Sequence, residues 1–181
     1  MTTTPMTTAI TMAPAIYAVR LRPLHIEPDR SPSAFGAAVC GPTPRANSVP
    51  ELERKPAFWR FLVNDVEPVL RDVPAVVVGD LNTGLHYRDE PGATLVCAAE
   101  MAEFETRGWR DGWISRNPLA RPPATWWSPQ AKTPYRLDHA LVSPASPRLR
   151  HVDYPERLDN GTPFVGPGGL SDHLPLVIDL P

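Results

Sequence analysis

Apolar residues recur at Trp59, Leu62, Val63, Val66, Val69 and Leu70 in "PAFWRFLVNDVEPVLRD". That spacing predicts an amphipathic helix. Pro56 suits its first turn, and Pro68, inside the pattern, is expected to kink the helix or end it early. The next apolar run, residues 75–78, shows no alternation, as in a strand covered on both faces. Leu137, His139 and Leu141 alternate with Asp138 and Ala140, the period of two that marks a strand. Tyr17, Val19 and Leu21 alternate likewise with Ala18, Arg20 and Arg22, predicting a half-buried strand ended by Pro23. "FGAAVC", residues 35–40, reads as a short buried strand stopped by Gly41-Pro42. "TLVCAAEMAEFETRG" predicts a second helix, with Thr94 as N-cap and Gly108 just past its end. Trp126-Trp127, "RLRHVDY" and "LPLVIDL" are the remaining strand candidates.

Strands outnumber helices and the two are interspersed, which predicts an α/β fold with mixed sheets. No repeat or internal linker splits the chain, and 181 residues suit one domain with a real core. That domain is expected over residues 17–181, after a threonine-rich start, 1–16, expected to be disordered. The 24 prolines lie mostly between the apolar runs and imply long, stiff loops. A net charge of -2 lacks the basic excess of a general nucleic-acid binder, so a polyanionic substrate would need a local positive patch or a bound cation. Cys40 and Cys97 make no disulfide framework and no CxxC, which fits a reducing cytoplasm. No apolar run approaches the roughly 20 residues of a membrane span, and the start has no basic n-region before its weakly apolar part, so no signal peptide is expected.

Four polar clusters lie on or beside these strands: Asp80 and Asn82 in "VVVGDLN", His86-Tyr87-Arg88 in the loop after it, Arg136-Leu137-Asp138-His139, and Ser171-Asp172-His173. Each has a plain structural explanation when taken alone. An Asp-x-Asn after a strand makes a turn by bonding its own backbone. An Arg-x-Asp in a strand is commonly a surface ion pair, and a Ser-Asp-His before a strand a polar loop. Ser171 has no nucleophile-elbow context, and Cys40 has no histidine close in sequence. Together, in this order and each at the edge of an apolar strand, the clusters say more.

With "VVVGDLN", "YRLDHALVS" and "SDHLPLVIDL" in that order, the sequence resembles the endonuclease/exonuclease/phosphatase superfamily. "RGWRDGWISRNPLARPPATWWSPQAKTPYRLDHALVS" is similar to its exonuclease-III-like and AP-endonuclease branch. The resemblance runs from about residue 75 to 180 and is fainter from 35 to 71. It implies an α/β sandwich of two mixed β-sheets with flanking helices, and hydrolysis of phosphate esters with a divalent ion, Mg2+ or Mn2+. On that likeness Asp80 positions or deprotonates the attacking water, and Asn82 hydrogen-bonds the water or the phosphate. Asp172 helps hold the metal. His173 contacts the phosphoryl oxygen and shuttles a proton, while Asp138 orients the His173 ring. Arg136, Trp126 and His86 are assigned to substrate binding. The substrate is a phosphate ester, with DNA and RNA among those that fit. Such a transition state needs positioning and charge neutralisation more than covalent help.

The family's pattern begins with an asparagine-bearing strand and a strand ending in a metal-binding glutamate. Neither is found here, and Glu27 in "LHIEPDR" lacks the apolar strand expected before it. The N-terminal strands are therefore expected to be missing or replaced. Two other readings follow: a non-catalytic remnant of the same fold, and a nucleic-acid- or partner-binding module using Trp126, Trp127, Lys132 and Arg136 as an aromatic-basic surface.

Overall fold

The computed structural model of the protein describes residues 17–20, 51–90, 92, 95–128 and 133–180. The elements are β1 (Tyr17–Arg20), α1 (Glu51–Phe61), a π-helical turn (Leu62–Val66), α2 (Glu67–Leu70), β2 (Ala75–Asp80), α3 (Ala98–Thr106), β3 (Arg110–Asp111), α4 (Gly112–Arg116), β4 (Trp126–Trp127), β5 (Pro134–Tyr135), β6 (Asp138–Val142), β7 (His151–Asp153) and β8 (Val177–Asp179). The start at 1–16, the strand expected at 35–40, and Cys40, Thr94 and Lys132 lie outside the described residues.

Four strands form one sheet in the order β1-β2-β6-β3, with β4–β5 and β7–β8 as separate pairs. The mix of sheets and helices is the α/β class expected. Every described pairing is antiparallel. A parallel neighbour needs a crossover that brings the chain back to the same end of the sheet. The long β2–β6 connection carries α3, β3, α4, β4 and β5 and delivers β6 from the opposite end.

Two cores explain the absence of alternation in β2. Ala75 and Val77 pack with Leu141 of β6 against Trp59, Leu62 and Val63 from the first helical segment and Met101 and Phe104 of α3. Val76 and Val78, one residue out of phase, pack with Ala140 and Val142 against Trp113, Val152, Tyr154, Leu174 and Ile178. A fully buried side chain of this size contributes about 1.5–3 kcal/mol, so both faces of the sheet are strongly held.

The first helical segment departs from its predicted course. It begins at Glu51, so Pro56 lies inside α1 rather than in its first turn. Ahead of Pro68 the helix widens into the π turn. A proline has no N–H to give and its ring crowds the carbonyl four residues back, so a regular turn could not continue there. The extra width rotates the following residues. Val69, expected on the apolar face, is 71% exposed, and Glu67 is fully buried instead. The Glu67 carboxylate accepts from Arg71 Nε (2.8 Å), Arg107 Nη1 (2.6 Å) and Trp109 Nε1 (3.0 Å). Burial pushes its pKa up, but these three donors outweigh it and hold the carboxyl below the usual glutamate range. They also pin α3 to the first helical segment. α3 ends before Gly108, whose φ of 91° is the left-handed conformation that a glycine past a helix supplies. No helix among the described residues is long and apolar enough to cross a membrane.

Candidate active site

Strand register places the first two carboxylates. Across the β2–β6 pair, Val76 faces Val142, Val78 faces Ala140, and Asp80 faces Asp138. Alternate residues share a face, so both aspartates lie on the side of Val76 and Val78, at the end where β2 stops and β6 starts. Gly79, between them, has φ 142°, a conformation that side-chain-bearing residues rarely adopt.

His173 reaches the same place by a different route. Its segment forms an isolated antiparallel bridge to Trp126, and Leu174 N donates to Thr125 O at 2.8 Å. Thr125, fully buried, also takes the Leu137 and Asp138 backbone N–H groups on its Oγ1, at 3.0 and 3.2 Å. One threonine therefore fixes both the entry to β6 and the segment carrying His173. The buried Tyr154 adds a hydroxyl donated to Asp138 O at 2.7 Å. Ser171 Oγ accepts from His173 N at 3.1 Å, so the serine of Ser-Asp-His shapes the turn.

His173 Nδ1 and Asp138 Oδ2 are 2.9 Å apart. An ionised carboxylate only accepts, so Nδ1 carries the proton and Nε2 is left for chemistry. The Asp138 hydrogen bond, opposed by partial burial, raises the imidazole above its ordinary pKa. Asp80 is raised too, by burial, with the Asn82 backbone N–H pulling the other way and the Asp138 charge adding to the rise. Asn82 holds both Asp80 oxygens: its backbone N donates to Oδ1 and its Nδ2 to Oδ2, each at 2.8 Å. The turn chemistry of Asp-x-Asn is therefore present inside the site itself.

Ligand atoms of Asp80, Asp138 and His173 all lie within 4.8 Å of one another. Beside them opens a cleft of about 350 Å³, lined by Asn82 and His173 together with Trp126, Tyr135, Leu95 and Leu137. The Trp126 ring centroid is 5.9 Å from Tyr135 and 6.2 Å from His173, so aromatic rings wall the cleft next to the polar group.

Asp80, Asn82, Asp138, His173 and Trp126, read from separate stretches of sequence, thus come together. Asp172 is exposed, next in the chain to His173 and outside the converging trio, and its charge helps raise the imidazole. His86 sits on the exposed loop, bonded through Nδ1 to Glu90 at 2.6 Å and against Tyr87, away from the cleft lining.

Arg136 overturns its assignment to substrate binding. It is 1% exposed, with Nε on Asp89 Oδ1 at 2.7 Å, Nη1 on Asp111 Oδ1 at 3.3 Å, and Nη2 also on Asp111. Position 136 precedes β6, and its side chain is consumed by interior carboxylates. The aromatic-basic surface loses the same residue. Burial alone would raise the Asp111 carboxyl, but the Arg136 cation and the His139 hydrogen bond hold it far below the usual range. His139 is fully buried and donates Nε2–H to Thr83 O, 2.9 Å, and Arg136 O, 3.1 Å.

The sequence reading missed Lys55, Thr125, Tyr135 and Tyr154. Lys55 and Trp59 stand four apart on α1, a same-face spacing visible in sequence, and both reach the Asp80–Asn82 turn. Lys55 Nζ donates to Asn82 O, and Trp59 Nε1 donates to Leu81 O at 3.3 Å.

The carboxylates of Asp80 and Asp138, which meet at the strand ends, suit a hard divalent cation that keeps several of its waters. The sequence profile of the Endonuclease/Exonuclease/phosphatase family matches residues 5–173. The match begins far ahead of the three motifs and so reaches further toward the N-terminus than the resemblance from residue 75. No curated protein matches the chain. Members of the family commonly use divalent metals, and theirs is the fold of phosphoesterase- and nuclease-type hydrolases. The profile match, with the convergence of the three motif ends at one cleft, shows that this chain belongs to the endonuclease/exonuclease/phosphatase family.

Proposed function

We propose that the chain hydrolyses phosphate esters at this cleft, with Asp80 as the base for water and the Asp138–His173 pair as the partner of the phosphoryl group. The observation that carries this reading is the convergence of Asp80, Asp138 and His173 within 4.8 Å. Both Asp80 oxygens are held by Asn82, yet each keeps a lone pair for a water molecule. A carboxylate raised by burial is a better base than an exposed one. Asn82 Nδ2 keeps a second N–H for the water or a phosphoryl oxygen. His173, protonated and oriented by Asp138, offers Nε2–H to the developing charge or the leaving oxygen, the role a carboxylate-backed imidazole can fill. Asp80 and Asp138, with the exposed Asp172 next to His173 as a further carboxylate, are the residues that would hold Mg2+ or Mn2+. When bound, the cation neutralises charge on the phosphoryl oxygens and lowers the pKa of water.

The aromatic wall of Trp126 and Tyr135 favours a substrate with a flat or apolar group beside the phosphate, as nucleic-acid strands have, and supports the exonuclease-III-like branch. The test is hydrolysis of bis-p-nitrophenyl phosphate with Mg2+, with Mn2+ and with EDTA. Metal-dependent turnover that falls in Asp80→Asn and His173→Ala is expected. A wild-type rate no higher than that of the two variants would overturn the proposal.

A further inference from the structure

Asn82 has a positive φ of 51°, a conformation few residues other than glycine hold without support, though asparagine tolerates it best. Such a residue persists when its surroundings over-determine it. The support here is unusual in its regularity. The carbonyls of three consecutive residues each receive a side-chain donor from elsewhere in the fold. Trp59 Nε1 donates to Leu81 O at 3.3 Å, Lys55 Nζ to Asn82 O, and His139 Nε2 to Thr83 O at 2.9 Å. Two donors come from one face of α1 and the third from β6. Leu81 N is tied as well, to Leu137 O at 2.8 Å. With every one of these groups held, the turn has little freedom to relax, and the Asn82 amide stays on Asp80.

We infer that Lys55, Trp59 and His139 are positioning residues for Asn82, clamping three successive carbonyls so that its backbone N–H stays on Asp80 Oδ1 and its side-chain amide on Asp80 Oδ2. The inference rests on the proposed role of Asn82 in the reaction, but the clamp itself is a structural statement with its own readout. None of the three residues need touch the substrate. Their effect is to keep the water-activating pair in one geometry, where a displacement of about 1 Å can cost on the order of a hundred-fold in rate.

Two measurements on the full chain separate the clamp from the chemistry. In the first, two-dimensional NMR of wild type, Lys55→Met and Trp59→Phe follows the backbone and side-chain amides of Asn82. The clamp predicts that both sets of signals move toward disordered positions and lose exchange protection in the variants, and that Lys55→Arg restores them. Unmoved Asn82 signals in Lys55→Met overturn the inference, whatever the activity. That variant lies at a half-buried position and decides the matter should Trp59→Phe fail to fold. In the second, bis-p-nitrophenyl phosphate turnover is measured in the same variants and with Asn82→Ala. Lys55→Met should lose roughly ten- to a hundred-fold in kcat with little change in KM. In the Asn82→Ala background its further loss should fall below about two-fold, because groups acting through one residue are not additive. Multiplicative losses would overturn the inference. A wild type without turnover would sink the proposed function and leave the NMR result to decide the clamp.

Discussion

Replacing Arg136 with methionine keeps an unbranched apolar stem and removes the guanidinium with its charge, and so tests what the buried ion pairs contribute. Arg136 is 1% exposed, and its partners Asp89 and Asp111 are 4% exposed each. Asp89 would keep the Leu85 N–H at 2.7 Å and Arg88 Nε at 3.2 Å. Asp111 would keep the Ile114 N–H at 3.0 Å and the His139 ring nitrogen at 3.4 Å, with Arg88 Nη2 3.9 Å away. Neither set replaces a guanidinium held on both sides. Removing one partner from a buried charge cluster costs about 3–5 kcal/mol, a large share of a typical total of about 5–15 kcal/mol. For a chain of this size that is a fall in Tm of roughly 6–20 °C. Urea denaturation followed by tryptophan fluorescence, at pH 7 and at pH 5, measures it. The pH dependence has a definite sign. In the wild type the folded Asp111 carboxyl lies below its unfolded value of about 3.9, so its contribution is present above that value and is lost as pH falls through the folded one. In Arg136→Met the same carboxyl is buried without its cation and titrates higher. Protonation then relieves it, and the gap between variant and wild type should narrow from pH 7 to pH 5. A loss under about 1 kcal/mol at pH 7, the scale of an exposed pair, would refute the reasoning, as would a gap that widens on acidification.

Asp138→Asn and His173→Ala should each lose most of the phosphodiesterase rate, and the double variant should lose little more, because the pair acts as a unit; additive losses in steady-state kinetics would break the pairing. NMR titration of the His173 ring should give a pKa above the ordinary 6.5 or so, dropping in Asp138→Asn. The stability this pair contributes is accordingly full below the unfolded histidine value and is lost as pH rises through the raised folded one. Thr125→Val should leave the buried N–H groups of Leu137 and Asp138 without an acceptor, at about 1–3 kcal/mol each. Thr125→Ser, which keeps the hydroxyl, should recover most of that in thermal melts.

The sequence by itself determined where strands end in chemistry. The unbroken apolar run before Asp80 and the alternation through Asp138 are properties of single segments, and strand periodicity is local. The end of α3 at Gly108 was legible for the same reason, since one residue type past a helix supplies the turn. The order of the three motifs was enough to point to the family. Only the tertiary structure decided what those residues face. Asp80 and Asp138 share a face because β2 and β6 pair in one register rather than the next, and a slip of one residue would turn either aspartate away. An Arg-x-Asp pattern cannot tell a surface pair from a buried one. Arg136 is interior because Asp89, 47 residues away, and Asp111, 25 away, fold onto it. The helical pattern through Val69 failed where Pro68, the residue just before it, forced the π turn ahead of it and exchanged Val69 for Glu67 at the core. Lys55 and Trp59 carried no motif, because their work is done on backbone carbonyls more than 20 residues away, and a carbonyl looks the same at every position in a sequence. Periodicity belongs to a segment, whereas register, burial and partner choice belong to pairs of segments, and those pairs exist only once the chain has folded.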